Sequence, residues 1–138
     1  MLDRTIPPAF QTIDNLQIIE ATERQLDNKI PIYSVNAGTQ EIIRIEFLFN
    51  GGFWHQEQPL QAGAVNALLE EGTTKRSGAE IADAIDYYGA YLELVANDEH
   101  SILTLFTLNK YLADVLPIVE EIIKEASFPE NEMGLYLQ

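Results

Sequence analysis

The sequence contains no cysteine, only two histidines and few basic residues. Without cysteine there is no disulfide framework, no thiolate nucleophile, no iron–sulfur ligand and no cysteine-based zinc site. The histidines are His55 and His100, so a zinc site would need both of them or a large share of carboxylates. These shortages exclude most chemistry that depends on sulfur or on clustered imidazoles.

Positive charge is scarce as well, with 8 Lys and Arg residues against 22 Asp and Glu residues and a formal net charge of −14. Such an acidic chain repels phosphate, which argues against nucleic acid and anionic membrane surfaces as partners and mildly favours basic peptides. No apolar run is long enough to span a membrane, and the opening residues MLDRTIPPAF lack the pattern of a secretory signal. We therefore expect a soluble protein, cytoplasmic or in another aqueous compartment.

Chain length and composition predict one folded domain with an arm before it. The chain has 138 residues and an apolar content of 46%, which suits a domain that buries about two thirds of its unfolded surface. Residues 1–15 contain prolines and show no periodic pattern, so we predict an N-terminal arm there. We expect residues 16–138 to form the folded part.

Several segments have the alternation of period two or the β-rich composition that predicts strands. The clearest is EIIRIEFLFN, in which isoleucine and phenylalanine share one face, opposite Arg44 and Glu46. A turn at Asp27 and Asn28 precedes the second strand, and a polar turn joins the last two strands into an antiparallel hairpin. The predicted strands are 16–20, 30–35, 41–50, 91–96 and 101–108.

Apolar residues at helical spacing predict helices over 59–71, 77–89 and 111–128, and Pro129 opens another helix. Gly72 is the expected stop of the first helix, and Ser77 with Glu80 forms the capping box of the second. The order of elements predicts an α+β fold, a mostly antiparallel sheet with helices packed on one face. We expect several carboxylates to be solvated, at the end of the first helix and on the outer face of the third: Glu70, Glu71, Glu120, Glu121 and Glu125.

Three stretches after Gly51 resemble one known family of proteins. They are GGFWHQEQP, EEGTTKRSGAEIADAIDYYGAYLELVANDEHS and LPIVEEIIKEASFPENEM. They resemble the insulinase/pitrilysin family of zinc peptidases, which includes the mitochondrial processing peptidases. The earlier LDNKIPIY is similar to that family's first hairpin, with Lys29 where glycine is common. The resemblance implies a metallopeptidase-like fold in which residues 16–138 are the N-terminal portion of a longer, here truncated, domain.

The same family carries a zinc motif, H-x-x-E-H, whose imidazoles bind zinc while its glutamate acts as general base. Aligned from Gly72, the motif falls on Gly63, Asn66 and Ala67, of which the first and last have no ligand atom. Asn66 replaces the base with an amide that cannot accept a proton at neutral pH. Aligned from Gly63, the motif also fails, and the family's further Glu ligand lies beyond the last residue. The resemblance therefore implies no catalytic residue, no metal ligand and no cofactor here, with zinc only in active relatives or a partner.

The family also implies a place for a peptide substrate. Its strand after the second helix is a sheet edge that accepts extended peptide by strand addition. The matching positions are Leu92, Glu93, Leu94, Val95, Ala96 and Asn97, with Glu93 where active relatives often carry Asn. An ordinary strand without a binding role is the alternative.

Two functions from different classes follow. The first is a non-catalytic insulinase-like domain or subunit that binds peptide and assembles with the rest of a longer chain and with an active zinc-peptidase partner or a second copy. The alternative is an active zinc metalloendopeptidase with a displaced site that uses His55 and His100. Against that alternative, we expect His100 to lie in a solvated hairpin turn and His55 to pair with Trp54 as a partly exposed aromatic group. A plain scaffold that binds nothing is a third possibility.

Overall fold

The structure is a computed structural model that describes residues 5, 10, 12 and 16–138. The arm predicted for residues 1–15 lies, apart from those three residues, outside the described residues. The chain divides into two compact units, Met1–Gln40 and Glu41–Gln138. No helix among the described residues is long and apolar enough to cross a membrane.

The first unit contains an antiparallel hairpin of β1 (Thr22–Gln25) and β2 (Pro31–Ser34). Its turn is closed by the Lys29 N–H, which donates to the Leu26 carbonyl, and Lys29 adopts a left-handed φ of 68°. That conformation explains why glycine is common at this position in the family that the sequence resembles. The predicted strand at 16–20 is wrong, because the turn fixes the register and pairs 22–25 with β2 instead.

The second unit contains a three-stranded antiparallel sheet with the order β3, β5, β4. Four helices accompany it. The strands are β3 (Ile42–Asn50), β4 (Tyr91–Ala96) and β5 (His100–Leu108), and the helices are α1 (Gln61–Leu68), α2 (Gly78–Tyr87), α3 (Leu112–Glu125) and α4 (Glu130–Tyr136). This arrangement confirms the predicted order of elements, although α1 is shorter than the helix predicted over 59–71.

One face of the sheet holds the hydrophobic core. Leu103 and Leu105 of the central strand β5 are almost fully buried, and they pack with apolar residues of α2 and α3. The main contributions from those helices are Ile81, Ile85, Val115, Val119 and Ile122. Helices thus pack on one face of an antiparallel sheet, which confirms the predicted α+β class.

Helix α2 begins and ends as the sequence predicts. The Ser77 hydroxyl accepts from the Glu80 N–H, and the Glu80 carboxylate accepts from the Ser77 N–H at 2.8 Å. Gly89, with a φ of 59°, ends the helix. Gly72 is not the C-cap of α1, since α1 ends at Leu68 and Gly72 forms an antiparallel bridge with Ser77.

The loop between α1 and α2 folds back onto α3, and this contact corrects one expectation. Glu121 was expected on the solvated face, but it is only 9% exposed. Thr73 Oγ1 donates to one carboxylate oxygen at 2.6 Å, and the Arg76 guanidinium donates to the other at 2.6 Å. The periodicity of α3 alone does not reveal that a distant loop supplies these two partners. Glu120, paired with Lys124 across one helical turn, does lie in solvent.

Candidate functional site

Helix α1 carries Gly63, Asn66 and Ala67, the positions at which the sequence predicts the family's emptied zinc motif. A Cβ added to Gly63 would lie 2.8 Å from the Tyr136 hydroxyl of α4, so this position is packed against a neighbouring helix. Ala67 is exposed. Neither residue offers a ligand atom, and the first also has little room for one.

Asn66 is the buried member of the motif positions, at 6% exposure. Its Nδ2 donates to the Ala62 carbonyl at 2.9 Å and to Ser101 Oγ at 2.9 Å. Ser101 Oγ in turn donates to the Gly51 carbonyl at 2.9 Å. The opposite orientation of the amide would set two carbonyl-type oxygens against each other at Ala62, so the direction of this chain of hydrogen bonds is fixed. Asn66 therefore ties α1 to β5 and to the end of β3.

A cavity of about 450 Å³ lies beside Asn66. Its walls are mainly apolar and come from α1, from the sheet and from the end of α3, with Leu69, Leu94 and Ile123 as examples. Both hydrogen bonds of the Asn66 side chain use Nδ2, and Oδ1 has no donor among the described residues. The cavity thus combines apolar walls with the polar side chain of Asn66.

Phe128 lines the same cavity and has an unusual backbone. Its φ of 47° lies in the left-handed region, which costs a bulky residue about 1 to 2 kcal/mol. Such a conformation persists only when surrounding contacts demand it. The contacts here include the bond from the Ser127 N–H to the Gly72 carbonyl at 2.9 Å.

The two histidines lie near the turn between β4 and β5. The short 3₁₀ turn Phe53–His55 is held there, since the Phe53 N–H donates to the Asn97 carbonyl at 2.8 Å and the Trp54 N–H donates to the Asp98 carbonyl at 2.9 Å. Trp54 and His55 are exposed, in agreement with the predicted exposed pair.

His100 is half-buried and is the first residue of β5, rather than part of the solvated turn that the sequence predicted. Its Nδ1 lies 3.9 Å from the Glu99 carboxylate. Throughout the described part of the chain, no three His, Cys, Asp or Glu side chains gather as a metal site.

Glu70 departs from its predicted solvation. It is half-buried near a second cavity, of about 410 Å³, between the end of α1 and α2. Burial raises the pKa of the Glu70 carboxyl, and the neighbouring charge of Glu71 raises it further. Glu71 itself is exposed, as expected.

The predicted peptide strand coincides with β4. In the described residues β4 pairs only with β5, so it forms one edge of the sheet. Asn97 lies just past its end, where the Asn97 N–H donates to the His100 carbonyl at 2.9 Å. Asn97 therefore belongs to the turn and not to the strand.

That bonded pair fixes which backbone groups of β4 point outward. Bonded pairs alternate along an antiparallel ladder, so Val95, Glu93 and Tyr91 bond to β5. The N–H and C=O groups of Leu92, Leu94 and Ala96 point to the open edge, while their side chains lie on the core face of the sheet. The six predicted residues thus divide into three that face the edge, two that serve the sheet and one that forms the turn.

Comparisons with known proteins show the fold. No protein-family model matches the sequence, and no curated protein matches it significantly. The structure is similar to the peptidase M16 inactive domain from Pseudomonas fluorescens, with a TM-score of 0.78 and 18% identity over 84% of this chain and 29% of that chain. The chain has the fold of an M16 peptidase inactive domain.

A protease from Helicobacter pylori has the same fold, with a TM-score of 0.71 and 15% identity over the same shares of the two chains. These matches confirm, at the level of the fold, the insulinase/pitrilysin-like inactive domain that the sequence predicted. The chain spans 29% of the length of each of these two structures.

Several residues around Asn66 were not predicted from the sequence. Ser101 and Tyr136 lie against the motif positions from distant elements, Gly51 accepts a hydrogen bond from Ser101, and Phe128 lines the cavity. Their only signal in the sequence is indirect, since Asn66 is a polar residue among apolar ones in a short helix. A buried polar side chain needs partners, but its own element does not reveal which ones.

Proposed function

We propose that this M16-like chain is a portion of a non-catalytic domain or subunit that holds an extended peptide along the open edge of β4. The observation that carries the proposal is the state of Asn66. The general base of the family's motif is a carboxylate, whereas Asn66 is an amide whose Nδ2 joins α1 to β5. The position that would hold the base therefore serves the structure of the domain.

The metal positions support the same proposal. Gly63 and Ala67 have no ligand atoms, and the Tyr136 hydroxyl would contact a Cβ at Gly63 at 2.8 Å. A histidine at Gly63 would require Tyr136 to move. The neighbour from Pseudomonas fluorescens is itself described as an inactive domain.

The edge of β4 supports the peptide-binding part. Leu92, Leu94 and Ala96 direct backbone donors and acceptors away from β5, and a strand added there would satisfy them at a spacing that any extended peptide can meet. Glu93 and Val95 place their side chains on the outer face, where they would set a preference. The acidic chain and Glu93 favour a peptide with basic residues.

The proposal extends to assembly. We infer that residues 16–138 are the N-terminal portion of a longer domain in an aqueous compartment. It would work beside an active zinc-peptidase partner subunit or a second copy, with zinc held by the active partner. The competing function is a zinc peptidase with a displaced site at His55 and His100. Among the described residues, no third His, Cys, Asp or Glu side chain lies close enough to these two to complete a metal site.

Hydrogen exchange at single residues tests the peptide-binding edge. Addition of an extended basic peptide should slow exchange at the amides of Leu92, Leu94 and Ala96. The amides of Glu93 and Val95 are the internal control, because they already donate to β5 and should change little. Unchanged exchange at the three edge amides with saturating peptide would contradict the proposal.

A pair of proline variants sharpens that test. Proline removes the backbone N–H, which is tolerated where the N–H faces an open edge. Ala96→Pro should therefore keep the fold and weaken peptide binding, whereas Val95→Pro should destabilise the sheet itself. Peptide binding that survives intact in a folded Ala96→Pro variant would show that the peptide does not use this edge.

A further inference from the structure

We propose that the outer face of the β4 edge takes one arginine side chain of the bound peptide, with the guanidinium over the Tyr91 ring and paired with the Glu93 carboxylate. This inference rests on the proposed function, because it names one side chain of the peptide that strand addition would hold. The site lies on the face of the sheet opposite the hydrophobic core.

The sheet already holds one arginine in this way, on the strand at its other edge. Arg44 of β3 lies directly across from Phe106 of β5, and its guanidinium is 5.5 Å from the centre of the Phe106 ring. The same guanidinium forms an ion pair with Glu46, two residues along β3. An aromatic ring on the neighbouring strand and a carboxylate in the next row thus hold this side chain.

The strand register repeats these two neighbours at the open edge of β4. Directly paired residues of antiparallel strands point to the same face of the sheet. Six side chains therefore share the outer face in two rows, with Arg44, Phe106 and Tyr91 in the first and Glu46, Thr104 and Glu93 in the second. A peptide residue opposite Tyr91 would have an aromatic ring on the neighbouring strand and Glu93 in the next row.

Both groups are accessible to a ligand. Tyr91 is 61% exposed, and its ring centre lies 6.0 Å from that of Phe106. Glu93 is exposed and has no hydrogen-bond or ion-pair partner among the described residues. Thr104, its neighbour on β5, carries no charge. A cation of the peptide would therefore meet a carboxylate that is not already paired.

The backbone pattern of β4 brings the added side chain close. The residues whose N–H and C=O groups point outward would bond to the peptide, so Tyr91 and Glu93 would face peptide residues in non-bonded pairs. Side chains in such pairs approach closely, with about 4.5 to 5.5 Å between Cβ atoms, and the diagonal neighbour lies roughly 7 to 8 Å away. An arginine opposite Tyr91 is long enough to cover the ring and reach Glu93.

A guanidinium fits this site better than an ammonium does. The planar guanidinium stacks on an aromatic ring and donates in a fork to a carboxylate, whereas the lysine ammonium is a strongly hydrated point charge. Glutamine has no charge and gains neither the ring contact nor the ion pair of a cation. We therefore expect affinity to fall in the order arginine, lysine, glutamine at the peptide residue opposite Tyr91.

Three matched peptides test the site. They have the sequence acetyl-Thr-Val-Thr-X-Thr-Val-Thr-amide, which favours an extended chain, and X is arginine, lysine or glutamine. NMR titration of the purified chain at about 0.15 M salt gives the dissociation constants. The arginine peptide should bind about tenfold more tightly than the glutamine peptide and about threefold more tightly than the lysine peptide. Equal affinity of the arginine and glutamine peptides would overturn the proposal.

Two pairs of variants locate the contacts. Glu93→Gln should remove the advantage of the arginine peptide over the glutamine peptide, whereas Glu46→Gln removes the same charge from the same row and should preserve it. Tyr91→Leu should remove the preference for arginine over lysine, whereas Tyr87→Leu, at an exposed tyrosine of α2, should preserve it. Equal losses in Glu93→Gln and Glu46→Gln would mean that net charge attracts the peptide, and the proposal would be wrong.

The arginine site and strand addition are distinguishable in the same experiment. If all three peptides protect the amides of Leu92, Leu94 and Ala96 with equal affinity, the proposed function stands and the arginine site fails. If none of them protects these amides, strand addition fails, and the arginine site fails with it. If the arginine peptide binds without protecting them, its arginine contacts another surface, and the proposal is overturned.

Discussion

Asn66 and Glu121 are two buried polar side chains on helices, and they differ in how completely they are bonded. Both carboxylate oxygens of Glu121 have donors, one from Thr73 and one from Arg76. Both hydrogen bonds of the Asn66 side chain use Nδ2, and its Oδ1 has no donor among the described residues. The complete set forms a structural clamp between a loop and α3, while the incomplete set borders a cavity.

The two regions also differ in how they relate to the family's chemistry. Glu121 lies where α3 meets the loop that follows α1, far along the chain from any motif position. By the resemblance of the sequence, Asn66 falls on the position of the family's general base, and its Nδ2 here holds α1 against β5.

The largest expected loss of stability comes from breaking the hydrogen bonds to the Glu121 carboxylate. Glu121→Gln removes the buried countercharge of the partly exposed Arg76 and leaves an amide N–H facing either the guanidinium or the Thr73 hydroxyl. We expect a loss of about 2 to 3 kcal/mol in the free energy of unfolding, measured by urea denaturation. Glu120→Gln, at an exposed ion pair with Lys124, is the control and should change the free energy of unfolding little, because water screens that pair. Equal effects of the two variants would mean that burial of Glu121 does not matter.

Removal of the two hydrogen bonds of Asn66 should cost less stability than the change at Glu121. Asn66→Ala deletes the donors to Ala62 and Ser101 but leaves no new buried charge, so we expect a loss of about 1 to 2 kcal/mol. The same urea measurement applies, with the exposed Asn131→Ala as control. A loss as large as that of Glu121→Gln would erase the distinction between the two regions.

The capping box of α2 is a fully bonded group at the surface and gives a third comparison. Ser77→Ala removes the capping box of α2 and should cost about 1 kcal/mol at neutral pH. Hydrogen bonds from the Ser77 backbone and hydroxyl lower the pKa of the Glu80 carboxyl below its ordinary value of 4.5. A lowered folded pKa gives stability that is present above the unfolded pKa and lost as pH falls through the folded pKa. The effect of Ser77→Ala should therefore shrink below about pH 4, as melting curves at several pH values can show. A cost independent of pH would contradict the role of Glu80.

The smallest expected effect is a gain of stability, from substitution of Glu70. Glu70 is half-buried, has no hydrogen-bond or ion-pair partner among the described residues, and has a raised pKa. A raised carboxyl pKa gives stability that is present below the unfolded pKa and lost as pH rises. Glu70→Gln should then stabilise the fold at pH 7 by about 0.5 kcal/mol and have little effect in acid, with the exposed Glu71→Gln as control. Destabilisation at pH 7 would show that Glu70 has a partner that this account omits.

Much of the fold was predictable because its signals are local. Alternation in EIIRIEFLFN, the capping box of Ser77 with Glu80 and the left-handed glycine at Gly89 each act within one element, and each is present in the structure. The strand predicted at 16–20 failed because a turn farther along the chain fixes the register of the hairpin. The composition of residues 16–20 alone does not reveal a register that is set by a turn elsewhere in the chain.

For the candidate site, the sequence predicts which motif side chains are missing but not which residues surround those positions. Counting residues predicts the emptied motif at Gly63, Asn66 and Ala67, but it does not reveal that Asn66 bonds Ser101 of β5, which in turn bonds the Gly51 carbonyl after β3. The prediction for Glu121 was wrong for the same reason, because helical periodicity places its side chain in solvent whereas a distant loop buries it. Contacts between distant segments depend on packing, and a single sequence without relatives does not record them.

The central claim is that this domain holds peptide without cleaving it. The most direct measurement is mass spectrometry of an extended basic peptide after incubation with the purified chain and added zinc. We predict that the peptide remains intact. Cleavage that a chelator stops, and that both His55→Ala and His100→Ala abolish, would contradict the account and establish a displaced zinc site.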